Sequence, residues 1–245
     1  MEVHHHSHTS RKKWTHYMWE FIMLFLAVFC GFLAESALEH KIEKQREKQY
    51  IGSFVEDLEA DTAGLNRRIS YCDLTIKKVD SVTIALTDPD LQKMAGEIYY
   101  FLRWLHRSDV FSVNDRTIVQ LRNSGGMRLV SNKAVSDSMV NYYKKVDFIS
   151  FIYEEQTEFR RSLRPYFPLI FDGLDYGKFV DENNVVIRAN EPVKLRISDP
   201  NAINACILLL NNIKGINMGV KKRMEELKGS ASAIREFIIK EYKLK

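Results

Sequence analysis

Residues that break helices are scarce in this chain, above all at its start. The 245 residues hold five prolines, none before Pro89, and of the eleven glycines only Gly31, Gly52 and Gly64 precede it. Such a stretch has little with which to end a helix, so very long helices are permitted there. The three cysteines, Cys30, Cys72 and Cys206, have neither metal-ligand spacing nor the number needed for a disulfide framework, and buried apolar thiols are the simplest reading. Charge of one sign is lacking too: 36 Lys and Arg are interleaved with 32 Asp and Glu. A net charge of +4 without a basic stripe argues against a nucleic-acid partner. No G-x-S-x-G, H-E-x-x-H, Cys-x-x-Cys or phosphate-cradling glycine loop occurs, so nothing points to an enzyme or a bound cofactor.

What stands out instead is one apolar run. Tyr17 to Ala34 reads YMWEFIMLFLAVFCGFLA, with Glu20 as the lone charge. As a helix it would cover roughly 27 Å, close to the hydrocarbon thickness of a bilayer. Trp14, Tyr17 and Trp19 supply aromatic rings at its N-terminal end, with Arg11, Lys12 and Lys13 just outside them. The expected division is a His-rich basic tail at 1–13, a transmembrane helix at 14–38, a long stalk helix at 39–87, and a helical bundle at 88–245. A cleaved signal peptide competes, since Ala34-Glu35-Ser36 offers small residues before a cut. Bulky residues running up to that point, and helical sequence beyond it, favour an uncleaved anchor. Lys41, Lys44, Arg46 and Lys48 nearly balance the cations on the other side, so orientation rests on the short tail, which favours tail inside and domain outside.

Within the stalk, Ile51, Val55, Leu58, Thr62, Leu65, Ile69, Cys72, Ile76, Val79, Thr83 and Leu86 step by four and three, a heptad-like seam. It could zip to a second copy as a coiled coil or pack against later helices. Thr62, Cys72 and Thr83 weaken a dry two-stranded seam and favour packing within the chain. Further on, Asp88-Pro89 reads as a helix start, with a helix running through Met94, Ile98, Phe101, Leu102 and Leu105. A helix from about Val113 to Asn123 ends at Ser124-Gly125-Gly126, and another runs from near Ser131 towards Arg164. Between about 168 and 198 the pattern changes. Phe179-Val180 and Val185 to Ile187 flank a polar turn, and Val193, Leu195 and Ile197 alternate, which predicts a small β-hairpin insertion with a third strand. Asp199-Pro200 opens the last helix, with a bend expected at Gly229-Ser230. The fold class is therefore mainly α.

Two features carry candidate sites. His4, His5, His6 and His8 could bind a metal ion, though without fixed geometry adventitious binding is the simpler account. On a helical wheel Glu20, Ala27, Gly31 and Ala34 share a face, and Ala27 to Gly31 is a small-xxx-small step. That face suggests helix pairing in the membrane. A shallow Glu20 near the headgroups is the plainer reading of the acid, and a proton-carrying role the most remote. Tyr99-Tyr100 and Tyr142-Tyr143 read as core and rim aromatics. His106, between Arg103, Arg107 and Asp109, reads as a solvated helix end.

The opening Met1-Glu2-Val3-His4-His5-His6-Ser7-His8 and the span Phe25-Leu26-Ala27-Val28 with Gly31-Phe32-Leu33-Ala34-Glu35 resemble a family of uncharacterised bacterial single-pass membrane proteins. Glu56-Asp57-Leu58, Asp61-Thr62 and Leu121 to Val130 extend the likeness. The resemblance implies a bacterial inner-membrane location and the architecture above, and it assigns no function. The residues themselves point to a membrane-anchored interaction or scaffold protein, its partners the bilayer and either another protein or a second copy. A sensor or transducer acting through a partner membrane protein is the alternative.

Overall fold

A computed structural model describes residues 14–107, 112–196 and 199–244. The chain divides into two compact units, one through Gln49 and the other from Tyr50 onward. The first helix, α1, runs Trp14–Leu86 with no proline and no capping break inside it. From Trp14 to Ala34 nearly every side chain is exposed. Its most apolar eighteen-residue window has a mean hydropathy of 2.2 and none of it is buried, so α1 is long and apolar enough to cross a membrane.

The second unit is built around the C-terminal part of α1. Helices α2 (Ala95–Leu105), α3 (Arg116–Asn123), α4 (Lys133–Arg161) and α7 (Pro200–Tyr242) pack with it, and two short helices, α5 (Phe167–Ile170) and α6 (Gly173–Gly177), fill the connection. Two apolar clusters result. One joins Ile51, Phe54, Leu58 and Leu65 of α1 to α3, α4 and the C-terminal half of α7. The other joins Val79, Val82 and Leu86 to α2, Phe171, Phe179 and the N-terminal half of α7. Each helix covers the apolar stripe of its neighbours, which is where most helical stability in a protein arises.

The α1 seam is buried inside the chain, and its register differs from expectation. Ile51, Leu58, Leu65, Cys72, Val79 and Leu86 are buried, but Val55, Thr62, Ile69, Ile76 and Thr83 are only half-buried. The alternating positions are taken by Phe54, Asp61, Thr75 and Val82. The buried stripe thus runs three-then-four rather than four-then-three, and it includes the carboxylate of Asp61, with Asp57 buried beside it. Hydropathy alone steers away from that choice, because a buried acid is tolerable only with donors that α3 and α4 bring.

Helix ends follow local chemistry, with three adjustments. Asp88 accepts from Asp90 N at 2.8 Å and Asp90 from Lys93 N at 3.2 Å, so Asp88-Pro89 makes a turn and α2 begins later, at Ala95. The helix expected from near Ser131 is α4, capped by Asn132, which accepts from Ala134 N and Val135 N, and it ends at Arg161, short of Arg164. α7 continues through Gly229-Ser230 to Tyr242, where Ser230 donates to Glu226 O and accepts from Lys145 Nζ. Asp199 caps α7 through Asn201 N, as its sequence predicts. Gly125 ends the α3 turn at φ +65°, and a Cβ on Gly126 would lie 3.1 Å from Leu121 Cδ2.

The expected β-hairpin insertion is corrected. Among the described residues there is no strand, only isolated antiparallel bridges, Val180 with Val186 and Phe171 with Leu195. The polar turn does form: Asp181 Oδ1 accepts from Asn183 N and Val185 N, and Asn184 takes φ 60°. Two backbone hydrogen bonds, Asp181 N to Val185 O and Ile187 N to Phe179 O, close it, and the expected third strand does not add to them because side chains take its backbone groups instead. Gln92 both donates to Leu195 O and accepts from Leu195 N. Tyr99 Oη accepts from Asp172 N at 2.7 Å and donates to Lys194 O at 3.0 Å. With those groups satisfied and Pro192 lacking an N–H, no second strand edge remains to pair. Ile197 lies outside the described residues.

Candidate functional site

Glu20, Ala27, Gly31 and Ala34 lie on one face of α1, all exposed. A Cβ placed on Gly31 meets nothing within 4 Å. Glu20 Oε1 lies 3.1 Å from His16 Nε2, one turn earlier. The tail histidines His4, His5, His6 and His8 lie outside the described residues. Among the described residues no group of three or more His, Cys, Asp or Glu side chains is arranged to hold a metal ion.

In the second unit, the two acids on α1 organise a buried polar junction. Asp57 and Asp61 are each 3% exposed and one turn apart. Asp57 Oδ2 accepts from Thr117 N at 3.1 Å, capping α3 from outside, and Oδ1 meets Arg116 Nη2 at 3.1 Å. Asp61 Oδ1 accepts from Asn114 N at 2.6 Å and Asn114 Nδ2 at 2.9 Å, while Oδ2 accepts from Tyr142 Oη at 2.7 Å. Tyr143 Oη donates to Asn114 O. Burial outweighs these donors and raises the Asp61 carboxyl above its usual range, with Asp57 adding to the rise. Both tyrosine hydroxyls are pushed well above 10, chiefly by burial. Every polar atom named here has a partner within the protein, so the junction fixes the approach to α3 rather than presenting a reactive group.

The thiols follow the same logic. Cys72 is pushed up to about 11 and Cys206 to about 12, in both cases first by burial, so neither offers a thiolate near neutrality. Tyr99, Tyr142 and Tyr143 are buried and Tyr100 half-buried, which places both tyrosine pairs in the core and at its rim. Lys78 Nζ sits 4.6 Å from the Tyr100 ring centre and 4.8 Å from that of Trp104, and Arg188 covers Tyr100 at 4.1 Å.

A second constellation gathers where α2 ends and α4 to α6 turn. Sequence reading places His106 at a solvated helix end, but the ring is half-buried and its Nδ1 has no hydrogen-bond partner. Burial, then Arg164, Arg103, Arg107 and Arg160, lower its basicity below 6.5. Arg160 is 2% exposed and donates through Nη1 to Leu105 O at 2.6 Å and Arg107 O at 2.9 Å, the free carbonyls at the end of α2. Its Nη2 is buried without a partner, as are Nε and Nη1 of Arg103. Arg103 lies 3.9 Å over the Tyr176 ring, and His106 meets Phe167 edge-on at 5.4 Å. Those two rings, with Phe171, Arg164 and Arg196, line a cavity of about 320 Å³. Only the basic cluster around His106 hints at this in the sequence. Arg160, Arg164 and Arg196 come from separate segments, and Asp109 lies outside the described residues.

No protein-family model, no curated protein and no solved structure matches this chain.

Proposed function

We propose that this is a membrane-anchored interaction protein, held in a bacterial inner membrane by the N-terminal part of α1, whose helical domain binds another protein or a second copy. The observation that carries the reading is the bare apolar window of α1, none of which is buried among the described residues. In water that surface would be costly at about 25 cal/mol per Å², and a bilayer removes the cost. Arg11, Lys12 and Lys13 beside the apolar run favour its N-terminal side in the cytoplasm and the domain across the membrane. Within the membrane, the face of Glu20, Ala27, Gly31 and Ala34 leaves room for a second backbone. On the domain, Phe148 is 52% and Phe151 61% exposed on α4, beside Lys144, Lys145 and Arg223. Exposed aromatics flanked by cations are common anchors of protein interfaces.

Carbonate extraction of membranes, protease treatment of intact spheroplasts, and photo-crosslinking from position 151 test the reading in turn. It predicts carbonate-resistant protein, digestion of the domain from outside, and one crosslinked species lost in Phe148→Asp. Release by carbonate would end the anchored reading. Crosslinks indifferent to Phe148→Asp would remove α4 as the contact face.

A further inference from the structure

The cavity beside α5 and α6 combines two things that structural packing does not require together. Its walls are aromatic, from Phe167, Phe171 and Tyr176, and its rim carries Arg164 and Arg196. Both arginine side chains are exposed, and among the described residues neither guanidinium has an ion-pair, hydrogen-bond or ring partner. Arg103 and His106 stand against the rings that form the walls, and Arg107 and Arg160 are close enough to His106 to oppose its protonation. The nearby acids are engaged elsewhere. Asp172 Oδ1 accepts from Leu174 N and Asp175 N, while Asp175 pairs with Lys178 at 3.0 Å and accepts from Lys194 N. Among the described residues no carboxylate lies within ion-pair distance of these five arginines, and buried donors on Arg103 and Arg160 lack acceptors. Fields of one sign focused by apolar walls concentrate ions of the other.

We propose that this cavity binds a small organic anion, with a phosphate or carboxylate held by Arg164 and Arg196 and a ring-sized apolar body against Phe167, Phe171 and Tyr176. Planar guanidinium groups match the oxygens of either acid in paired fashion. A volume near the lower end for ligand pockets suits one ring rather than a nucleotide. The chemistry is shared by free aryl or alkyl acids and by the headgroup end of an anionic lipid.

Phenyl phosphate is the probe, titrated calorimetrically into the full chain in micelles of an uncharged detergent. One site should saturate, inorganic phosphate should bind at least about tenfold more weakly, and phenol should not bind. Arg164→Gln and Arg196→Gln should each weaken phenyl phosphate by about tenfold or more, with Arg164→Lys intermediate. Their unchanged near-UV circular dichroism is expected, since both side chains are exposed. A second titration adds phosphatidylglycerol to the micelles. Arginine-dependent displacement of the probe identifies a lipid source, and an unchanged affinity identifies a free solute; either outcome keeps the anion site. No saturation up to about 1 mM, or binding that both glutamine variants retain, would overturn the proposal.

Discussion

Tyr142→Phe is the sharpest perturbation of the buried junction, because it deletes one oxygen and leaves the ring. In the native protein that hydroxyl is the sole donor to Asp61 Oδ2 among the described contacts, at 2.7 Å, while Asn114 serves Oδ1 twice. Removal leaves a carboxylate oxygen, in a residue 3% exposed, with nothing to accept from. A hydrogen bond to a charged group contributes about 1.5–3 kcal/mol net, and the conserved ring adds no cavity cost, so we expect a loss of about that size at pH 7.5. The loss should also depend on pH. Burial already raises Asp61 above 3.8, so the folded state takes up this proton more readily than the unfolded one. The corresponding stabilisation is present below pH 3.8 and disappears as pH rises through the native value. Tyr142→Phe raises that value further, so its deficit should shrink on acidification, where a protonated Asp61 needs no charged donor. Asp61→Asn keeps an acceptor for Asn114 and can donate to Tyr142 Oη, so it should stay within about 1 kcal/mol of wild type and flatten the acid dependence. Urea unfolding of the full chain in uncharged micelles, read by near-UV circular dichroism, gives these differences, and the double variant gives their coupling. A Tyr142→Phe cost below about 0.5 kcal/mol at pH 7.5 would refute the argument.

His106 should act in the opposite sense: with its native basicity lowered below 6.5, its contribution is intact above that pH and is lost as pH falls below it. His106→Phe should therefore lose less melting temperature than wild type between pH 8 and pH 5, as differential scanning calorimetry can show. Leu58→Ala and Leu65→Ala, both at buried α1 positions, should each cost about 2–5 kcal/mol, with a melting temperature indifferent to dilution. A concentration-dependent melt would mean that a second chain completes the core. In a bacterial two-hybrid assay of the membrane segment, Gly31→Leu should weaken pairing, whereas Phe25→Leu, on another face, should not. Equal signals for Gly31→Leu and wild type would reduce the segment to an anchor.

The sequence by itself determined what depends on neighbours along the chain. An apolar run broken only by Glu20 marked the part of α1 long and apolar enough to cross a membrane, the missing prolines let α1 continue to Leu86, and Gly125 and the Asp199-Pro200 pair set helix ends through their own backbone preferences. Tertiary structure decided whatever needs a distant partner. Asp61 belongs to the buried stripe, with Asp57 buried beside it, because Thr117, Asn114 and Tyr142 meet them there, and hydropathy alone assigned that stripe to Val55, Thr62 and Ile69. The expected third strand does not join the turn after Phe179 because Gln92 and Tyr99, remote in sequence, take the backbone groups of Lys194 and Leu195 that a strand would have paired. The arginine-rimmed cavity is the extreme case, since Arg103, Arg160, Arg164 and Arg196 acquire a common field only when α2, α4 and the loop before α7 converge. Local preference acts through bonds along the chain, whereas charge and burial act through space, and only the folded chain brings these groups together.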